Sequence, residues 1–268
     1  MSDTSSSVIL LPGAGGSVPG AFTTAFAGVV KLEAIKYPGW SRYVVDGYSA
    51  TMLIDDLAAE IQNKVPHGPI RIVGFSIGGH FGYAVALQLQ ASGREIAGFC
   101  AVDTFMFSSA APSVGWSGRA FARTVELVRK FRVDELGHFI RTRFWRALLR
   151  ASENRLPALL RPFAPSRRLP WILRFDSFFE EELSMRLLLR KAAPWVASLD
   201  RVPVALNAPA ILLRTRFIAH DDAAWRRRCP AIKIIELPGT HETLFEPPNF
   251  DALRQALAAA TQNLSEWR

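Results

Sequence analysis

Apolar residues fall along this chain in two alternating modes: short β-branched runs that end in glycine or proline, and longer stretches with apolar positions three or four apart. Val8-Ile9-Leu10-Leu11 is a run of the first kind and stops at Pro12-Gly13-Ala14-Gly15-Gly16. Residues 32–37 form another, closed by a turn at Pro38-Gly39-Trp40. Residues 52–65 have helical spacing, with Asp55 and Asp56 near the start, Lys64 near the end and Pro66 as the stop, an order the helix dipole favours. A strand is predicted at 70–75, a proline-free helix at 77–90 that leaves through Ser92-Gly93, and a buried strand at 96–102. Alternation of this kind predicts the α/β class, a mostly parallel central sheet with helices on both faces.

The rhythm stops between about residues 107 and 200. Helical patterns at 119–131, 134–151 and 178–191 are separated there by proline-rich pieces, which predicts a helical lid inserted over the sheet. Trp116, Trp145, Trp171 and Trp195 lie in this segment and are expected to pack it onto its host. Strands resume at 210–213 and 232–237, with a loop between them that contains His220, Asp221, Asp222 and Trp225; a final helix is predicted at 250–263, after Pro247-Pro248. Residues 1–268 therefore read as a single domain carrying one insertion.

Composition adds a globular balance, 49% hydrophobic and 21% charged, and charge adds an asymmetry. Residues 107–200 hold 17 of the 32 basic and 9 of the 24 acidic residues, so the rest of the chain has 15 of each and the net +8 lies in the insertion. A basic surface steers acidic partners toward it. Nucleic acid is excluded as one of them because no recognition module is present. No stretch is long and apolar enough for a membrane span, and the first residues lack the basic region of a secretory signal. Cys100 and Cys229 have no metal-ligand spacing and cannot build a disulfide framework, so structural thiols in a cytoplasmic protein are expected.

The candidate chemistry centres on Gly74-Phe75-Ser76-Ile77-Gly78-Gly79, where a strand meets a helix. Glycines two residues either side of a serine suit a crowded, strained turn that exposes the hydroxyl. The Ile77 N–H then lies at the helix N-terminus, where unsatisfied donors favour a developing oxyanion. The loop after the first strand offers a second donor, from Ala14 or a neighbour; it does not complete G-x-G-x-x-G, since Val18 stands where the last glycine belongs. Serine needs an imidazole to take its proton and a carboxylate to orient that imidazole. Of five histidines, His67, His80, His138, His220 and His241, only His241 follows a strand directly and in the order Ser, Asp, His. Asp103, at the end of the strand 96–102, is the expected acid, with Asp221 and Asp222 as the alternatives at the next strand end.

These residues resemble the thioesterase domains that release products from nonribosomal peptide and polyketide synthases, a branch of the α/β-hydrolase superfamily. The resemblance runs most closely over residues 54–105, through His67-Gly68-Pro69 to Gly79 and through residues 96–104, and returns at Gly239-Thr240-His241. It implies an α/β-hydrolase fold with a lid at 107–200 and catalysis by Ser76, Asp103 and His241. It also implies an oxyanion hole of Ile77 and Ala14 N–H groups. The implied substrate is an acyl, peptidyl or polyketide chain on the phosphopantetheine arm of a carrier protein, released to water or by cyclisation, with no metal and no resident cofactor. Starting at Met1 and carrying no carrier or condensation segment, the chain reads as a free-standing enzyme or an excised domain. A carrier-independent esterase or acyl-CoA thioesterase, an acyltransferase and a noncatalytic binding protein are the rival readings.

Overall fold

The computed structural model describes residues 7–16, 20, 23–24, 31–104, 133–152, 155–173, 177–201, 204–215, 222–241 and 243–262. The helix expected at 119–131, Trp116, His220 and Asp221 lie outside them. The described chain divides into two compact units, one of residues 1–37, 49–109 and 191–268, the other of residues 38–48 and 110–190.

The first unit is built on six parallel strands, β1 (Ser7–Leu11), β2 (Lys31–Ala34), β3 (Ile70–Phe75), β4 (Ile96–Val102), β5 (Ala210–Thr215) and β6 (Ile232–Leu237), in the order β2-β1-β3-β4-β5-β6. Val8 to Leu11 and Phe99 to Val102 are almost fully buried, which is why these strands are apolar without alternation: helices cover both faces of a parallel sheet. On one face, Val8, Leu10, Val73, Phe75, Cys100, Val102 and Leu213 share a core with Leu253 and Leu257 of the last helix. On the other, Ile72, Phe99 and Leu11 lie against Gly82 of the helix that follows β3.

The chain leaves β1 toward β2 and then returns past it to β3, so the direction of winding reverses between β1 and β3. Clefts form at the carboxyl ends of strands beside such a reversal. The register aligns those ends: Leu11 pairs with Gly74, Phe75 with Val102, Val102 with Leu213 and Thr215 with Leu237. The loops that begin at Pro12, Ser76, Asp103 and Pro238 therefore leave one edge of the sheet.

Helices of this unit include α2 (Ala50–Lys64), α3 (Ile77–Ala91), α7 (Asp222–Arg228) and α8 (Asn249–Gln262). Ser49 caps α2 by accepting from the Met52 N–H. Residues 222–228 were expected as loop; their helix is short and its last turn is Arg226-Arg227-Arg228, which leaves little apolar periodicity to read.

The second unit contains α1 (Trp40–Tyr43), α4 (Val133–Ser152) and α5 (Leu156–Leu160), and α6 (Ser177–Ser198) begins in it. Trp145 packs on Phe179 with ring centroids 4.6 Å apart, and buried Glu182 accepts from Arg146 at 3.0 Å. Trp40 donates its backbone N–H to Ser184, and Arg161 pairs with Asp46 at 2.6 Å, so residues 38–48 group with this unit rather than serving only as a turn. Of the tryptophans expected to pack 107–200 onto the rest of the chain, Trp195 does so, while Trp145 and Trp171 do not. Trp145 is buried inside the second unit, Trp171 is 80% exposed, and Trp195 belongs to the first unit, 5.5 Å from the Phe81 ring. Helix α6 also continues through Pro194, beyond the predicted end at 191. Among the described residues, no helix is long and apolar enough to cross a membrane.

Candidate active site

Ser76 connects β3 to α3 at φ 56° and ψ −124°, a backbone region that L-residues rarely occupy and that costs on the order of 1–3 kcal/mol. Neighbouring backbone enforces it. Ser76 donates its N–H to Val102 O at 2.9 Å, and its own carbonyl accepts from Gly79 N–H at 3.0 Å. A Cβ on Gly74 would collide with the backbone of Gly78, and one on Gly78 with the carbonyl oxygens of Leu11 and Pro12. Both glycines therefore permit the helix to approach β3 and β1 closely. The outcome is a partly exposed Ser76 above a helix whose first residue, Ile77, is buried.

Gly13 places the loop after β1 beside this turn: a Cβ there would lie 3.1 Å from Phe75 Cδ1 and 3.6 Å from Ser76 Cβ. Gly16 N–H donates to Gly13 O at 2.9 Å, closing a turn in which Ala14 is the second residue. Both backbone groups expected to face an oxyanion, those of Ile77 and Ala14, are thus in elements that flank Ser76.

Asp103 ends β4 fully buried and in the left-handed region at φ 45°, with its N–H donated to Leu213 O. Its Oδ2 lies 2.6 Å from His241 Nδ1. Its Oδ1 accepts from both the N–H and the hydroxyl of Thr215, each at 2.9 Å. Burial pushes this carboxyl up, yet the hydrogen bonds from His241 and Thr215 and the charge of His241 outweigh burial and hold it below the usual carboxylate range. The acid beside His241 is therefore Asp103. Asp222 instead accepts from Arg214 at 3.0 Å.

His241 sits in a turn locked by its neighbours. Thr240 N–H donates to Thr243 Oγ1 at 2.9 Å, and Asn249 Nδ2 donates to Thr243 O at 3.1 Å. Gly239, at φ 87°, leaves room for that asparagine. The imidazole lies flat on the Phe75 ring, centroids 5.1 Å apart and planes 7° apart, and Phe245 meets Phe75 edge-on at 5.0 Å.

The remaining histidines stand elsewhere. His67 is exposed, and His138 lies on α4. His80, one turn past Ser76, is buried against Trp225, and its Nδ1 is 3.2 Å from Arg228 Nη1. Because arginine only donates, that nitrogen accepts, which makes His80 a neutral structural residue. Burial pushes both cysteine thiols up to about 12, Cys229 despite the opposing charge of Arg228, so both behave as core residues. Among the described residues, no His, Cys, Asp and Glu side chains gather in a group that could hold a metal ion. A groove of about 770 Å³ lined by Trp40, Arg42, Arg161 and Arg167 belongs to the second unit and includes none of Ser76, Asp103 and His241.

Thr215 and Phe75 escaped the sequence reading. Phe75 reads as an ordinary last residue of a strand and Thr215 falls two residues past the predicted strand 210–213, and only the assembled sheet reveals what each touches.

Residues 6–155 match the family model described as thioesterase domain. Among solved structures, the chain is similar to the NocB thioesterase domain in a covalent complex with a fluorophosphonate nocardicin G analog. The identity is 20%, over 95% of this chain and 93% of that one, with a TM-score of 0.58. It is similar to the Vlm2 thioesterase domain bound with a dodecadepsipeptide at 16% identity, over 94% and 95% of the two chains, with a TM-score of 0.56. A four-domain nonribosomal peptide synthetase, AB3403, aligns at 16% identity over 95% of this chain and 19% of its own, with a TM-score of 0.57. At such identities the likeness is one of fold. No curated protein matches the chain.

Proposed function

The chain belongs to the thioesterase-domain family and is a thioesterase of the α/β-hydrolase fold, and from that premise we propose that Ser76 accepts an acyl, peptidyl or polyketide chain from the phosphopantetheine thioester of a carrier protein. The observation that carries this reading is the 2.6 Å contact between His241 Nδ1 and buried Asp103, with the imidazole resting on the residue next to Ser76.

With Asp103 ionised, Nδ1 carries a proton and donates it, which leaves the Nε2 lone pair as the base. Ser76 Oγ attacks the thioester carbonyl while its proton passes to Nε2. The tetrahedral oxyanion is held by the N–H groups of Ile77 and Ala14; removing one such donor costs about 10²- to 10³-fold in rate. Collapse breaks the C–S bond, and the imidazolium returns its proton to the departing pantetheine sulfur. Water, or a hydroxyl or amine within the bound chain, then attacks the Ser76 ester with His241 again as base, giving free acid or ring. Every step uses groups of this chain and its substrate, and none is assigned to a cofactor.

A carrier as partner is supported by the second unit, which holds 17 of the 32 basic and 9 of the 24 acidic residues, while the first has 15 of each. On α4 of that unit, Ile140, Phe144 and Leu148 are 56%, 59% and 42% exposed at helical spacing, with Arg141 and Arg150 among the exposed residues of the same helix. An apolar stripe in a basic unit suits an acidic protein surface with an apolar centre. Two copies of this chain facing each other there would set arginine against arginine. That the Vlm2 domain binds a dodecadepsipeptide and that AB3403 is a nonribosomal peptide synthetase support a peptidyl or depsipeptidyl chain as cargo.

The test is intact-protein mass after incubation with acyl-pantetheine and acyl-carrier thioesters, for wild type and Ser76→Ala, with products analysed alongside. The expected result is an acyl adduct or turnover that vanishes in Ser76→Ala and is faster from the carrier. Turnover of small esters at the carrier-thioester rate would shift the assignment to a carrier-independent esterase, and neither adduct nor turnover from a folded protein, or turnover that survives in Ser76→Ala, would refute the acyl-enzyme.

A further inference from the structure

We propose that Phe75 is a positioning residue that sets the plane of the His241 imidazole and thereby aims Nε2 at the hydroxyl of the adjacent Ser76. The inference rests on the roles proposed above for Ser76, Asp103 and His241. The hydrogen bond from Nδ1 to Asp103 sets mainly a distance from the acid. By itself that contact constrains the ring plane weakly, and a tilt about it sweeps Nε2, the far nitrogen, through an arc. Misplacement by about 1 Å at a reacting atom costs on the order of 10²-fold in rate. A flat contact on the ring face limits that tilt directly.

Phe75 supplies a flat wall for that purpose. Its ring is 7° from parallel to the imidazole at 5.1 Å. The wall is itself held on two other sides: Phe245 packs against it edge-on at 74°, and Gly13 comes so close that an added Cβ would be 3.1 Å from Phe75 Cδ1. Phe75 is 9% exposed and shares the core of Leu237, Leu244 and Leu253, so the ring has little room to turn.

The sequence position of this wall matters as much as its shape. Phe75 is joined to Ser76 by one peptide bond, and β3 pairs with β1 up to Gly74 and with β4 up to Phe75 itself. The nucleophile and the surface that orients its base are therefore parts of one rigid strand end. His241 comes from the other end of the chain, on a turn after β6, yet its ring is referenced directly to the strand that carries the serine. The turn fixes the His241 backbone through Thr240, Thr243 and Asn249, Asp103 fixes Nδ1, and Phe75 fixes the ring plane. Each constraint removes a different freedom.

The test compares Phe75→Leu, which keeps an apolar filler without a flat face, with Phe75→Tyr, which keeps the face. The probe is an alkyl fluorophosphonate, whose phosphorus Ser76 Oγ attacks while fluoride leaves and the hydroxyl proton passes to His241; it needs no knowledge of the natural acyl chain. Adduct mass against time is expected to show Phe75→Leu slowed about 10- to 100-fold and Phe75→Tyr within about threefold of wild type. The low-field proton resonance of His241 Nδ1–H should be sharp in wild type and Phe75→Tyr and broadened in Phe75→Leu. In thioester turnover the loss should fall on kcat and leave KM unchanged. Phosphonylation of Phe75→Leu at the wild-type rate overturns the proposal. So does equal slowing of both variants at unchanged melting temperature, which would assign Phe75 a space-filling role. His241→Ala separates the premise from the inference: if that variant also reacts at the wild-type rate, it is the role of His241 that fails.

Discussion

Replacing Thr215 by valine removes one hydrogen bond from the buried carboxylate of Asp103 and little else. The two side chains have nearly the same shape, and the Thr215 N–H still reaches Oδ1. What is lost is the hydroxyl donor at 2.9 Å, inside a site where Thr215 is 1% and Asp103 0% exposed, so no solvent replaces it. A hydrogen bond to a charged group contributes roughly 1.5–3 kcal/mol, and that is the expected loss of stability at pH 7. For a chain of this size such a loss lowers the melting temperature by roughly 3–12 °C. The dependence on pH identifies the cause. Asp103 is held below its usual range in the fold, so its ionised form contributes stability in full above the unfolded value, about 3.9, and that contribution is lost as pH falls through the folded value. The Thr215 hydroxyl is one of the groups that lower it, so the gap between wild type and variant should be widest near neutrality and narrow as pH falls below about 4. Urea unfolding at pH 7 and at successively lower pH measures both. A gap under about 0.5 kcal/mol at pH 7, the scatter of ordinary surface substitutions, or a gap that widens on acidification, would refute the reasoning.

Three further outcomes are expected. Asp103→Asn keeps the geometry but stabilises the wrong imidazole tautomer, so kcat should fall by about 10⁴-fold with KM little changed, as steady-state kinetics on a pantetheine thioester will show. Gly78→Ala drives a methyl group into the carbonyl oxygens of Leu11 and Pro12 at the carboxyl end of β1, and should abolish soluble folded protein, read by circular dichroism and gel filtration, whereas Gly137→Ala at an exposed position of α4, where nothing lies within 4 Å of an added Cβ, should fold normally. Phe144→Ser with Leu148→Ser should raise KM for a carrier-bound thioester about tenfold while leaving turnover of the free pantetheine thioester intact; an equal effect on both substrates would place the stripe in acyl binding instead.

The strand, turn and helix around Ser76 were legible because the information is local: a β-branched run, glycines at 74, 78 and 79, then helical spacing. Their spacing announced a crowded turn before any coordinate placed Ser76 at φ 56°. The strands of the sheet were legible for the same reason, since burial on both faces demands unbroken apolar runs. Short elements with few apolar residues were not: α1 read as a turn, and α7, with three arginines in its last turn, as a loop. The fate of Trp171 could not be read either, because exposure is decided by what packs nearby and not by the side chain alone.

The candidate site divides along the same line. Sequence order by itself selected Ser76 and His241 and favoured Asp103, which abuts its strand, over Asp221 and Asp222 at the next strand end. Only the tertiary structure brings that carboxylate to the imidazole across 138 residues of chain, with Oδ2 2.6 Å from Nδ1. It also decided that Thr215 donates twice to that acid and that Phe75 lies under that imidazole. Chain-local patterns determine how each strand ends, whereas the register between strands determines which ends meet. Register is a property of the packed sheet, settled when both of its faces are buried at once.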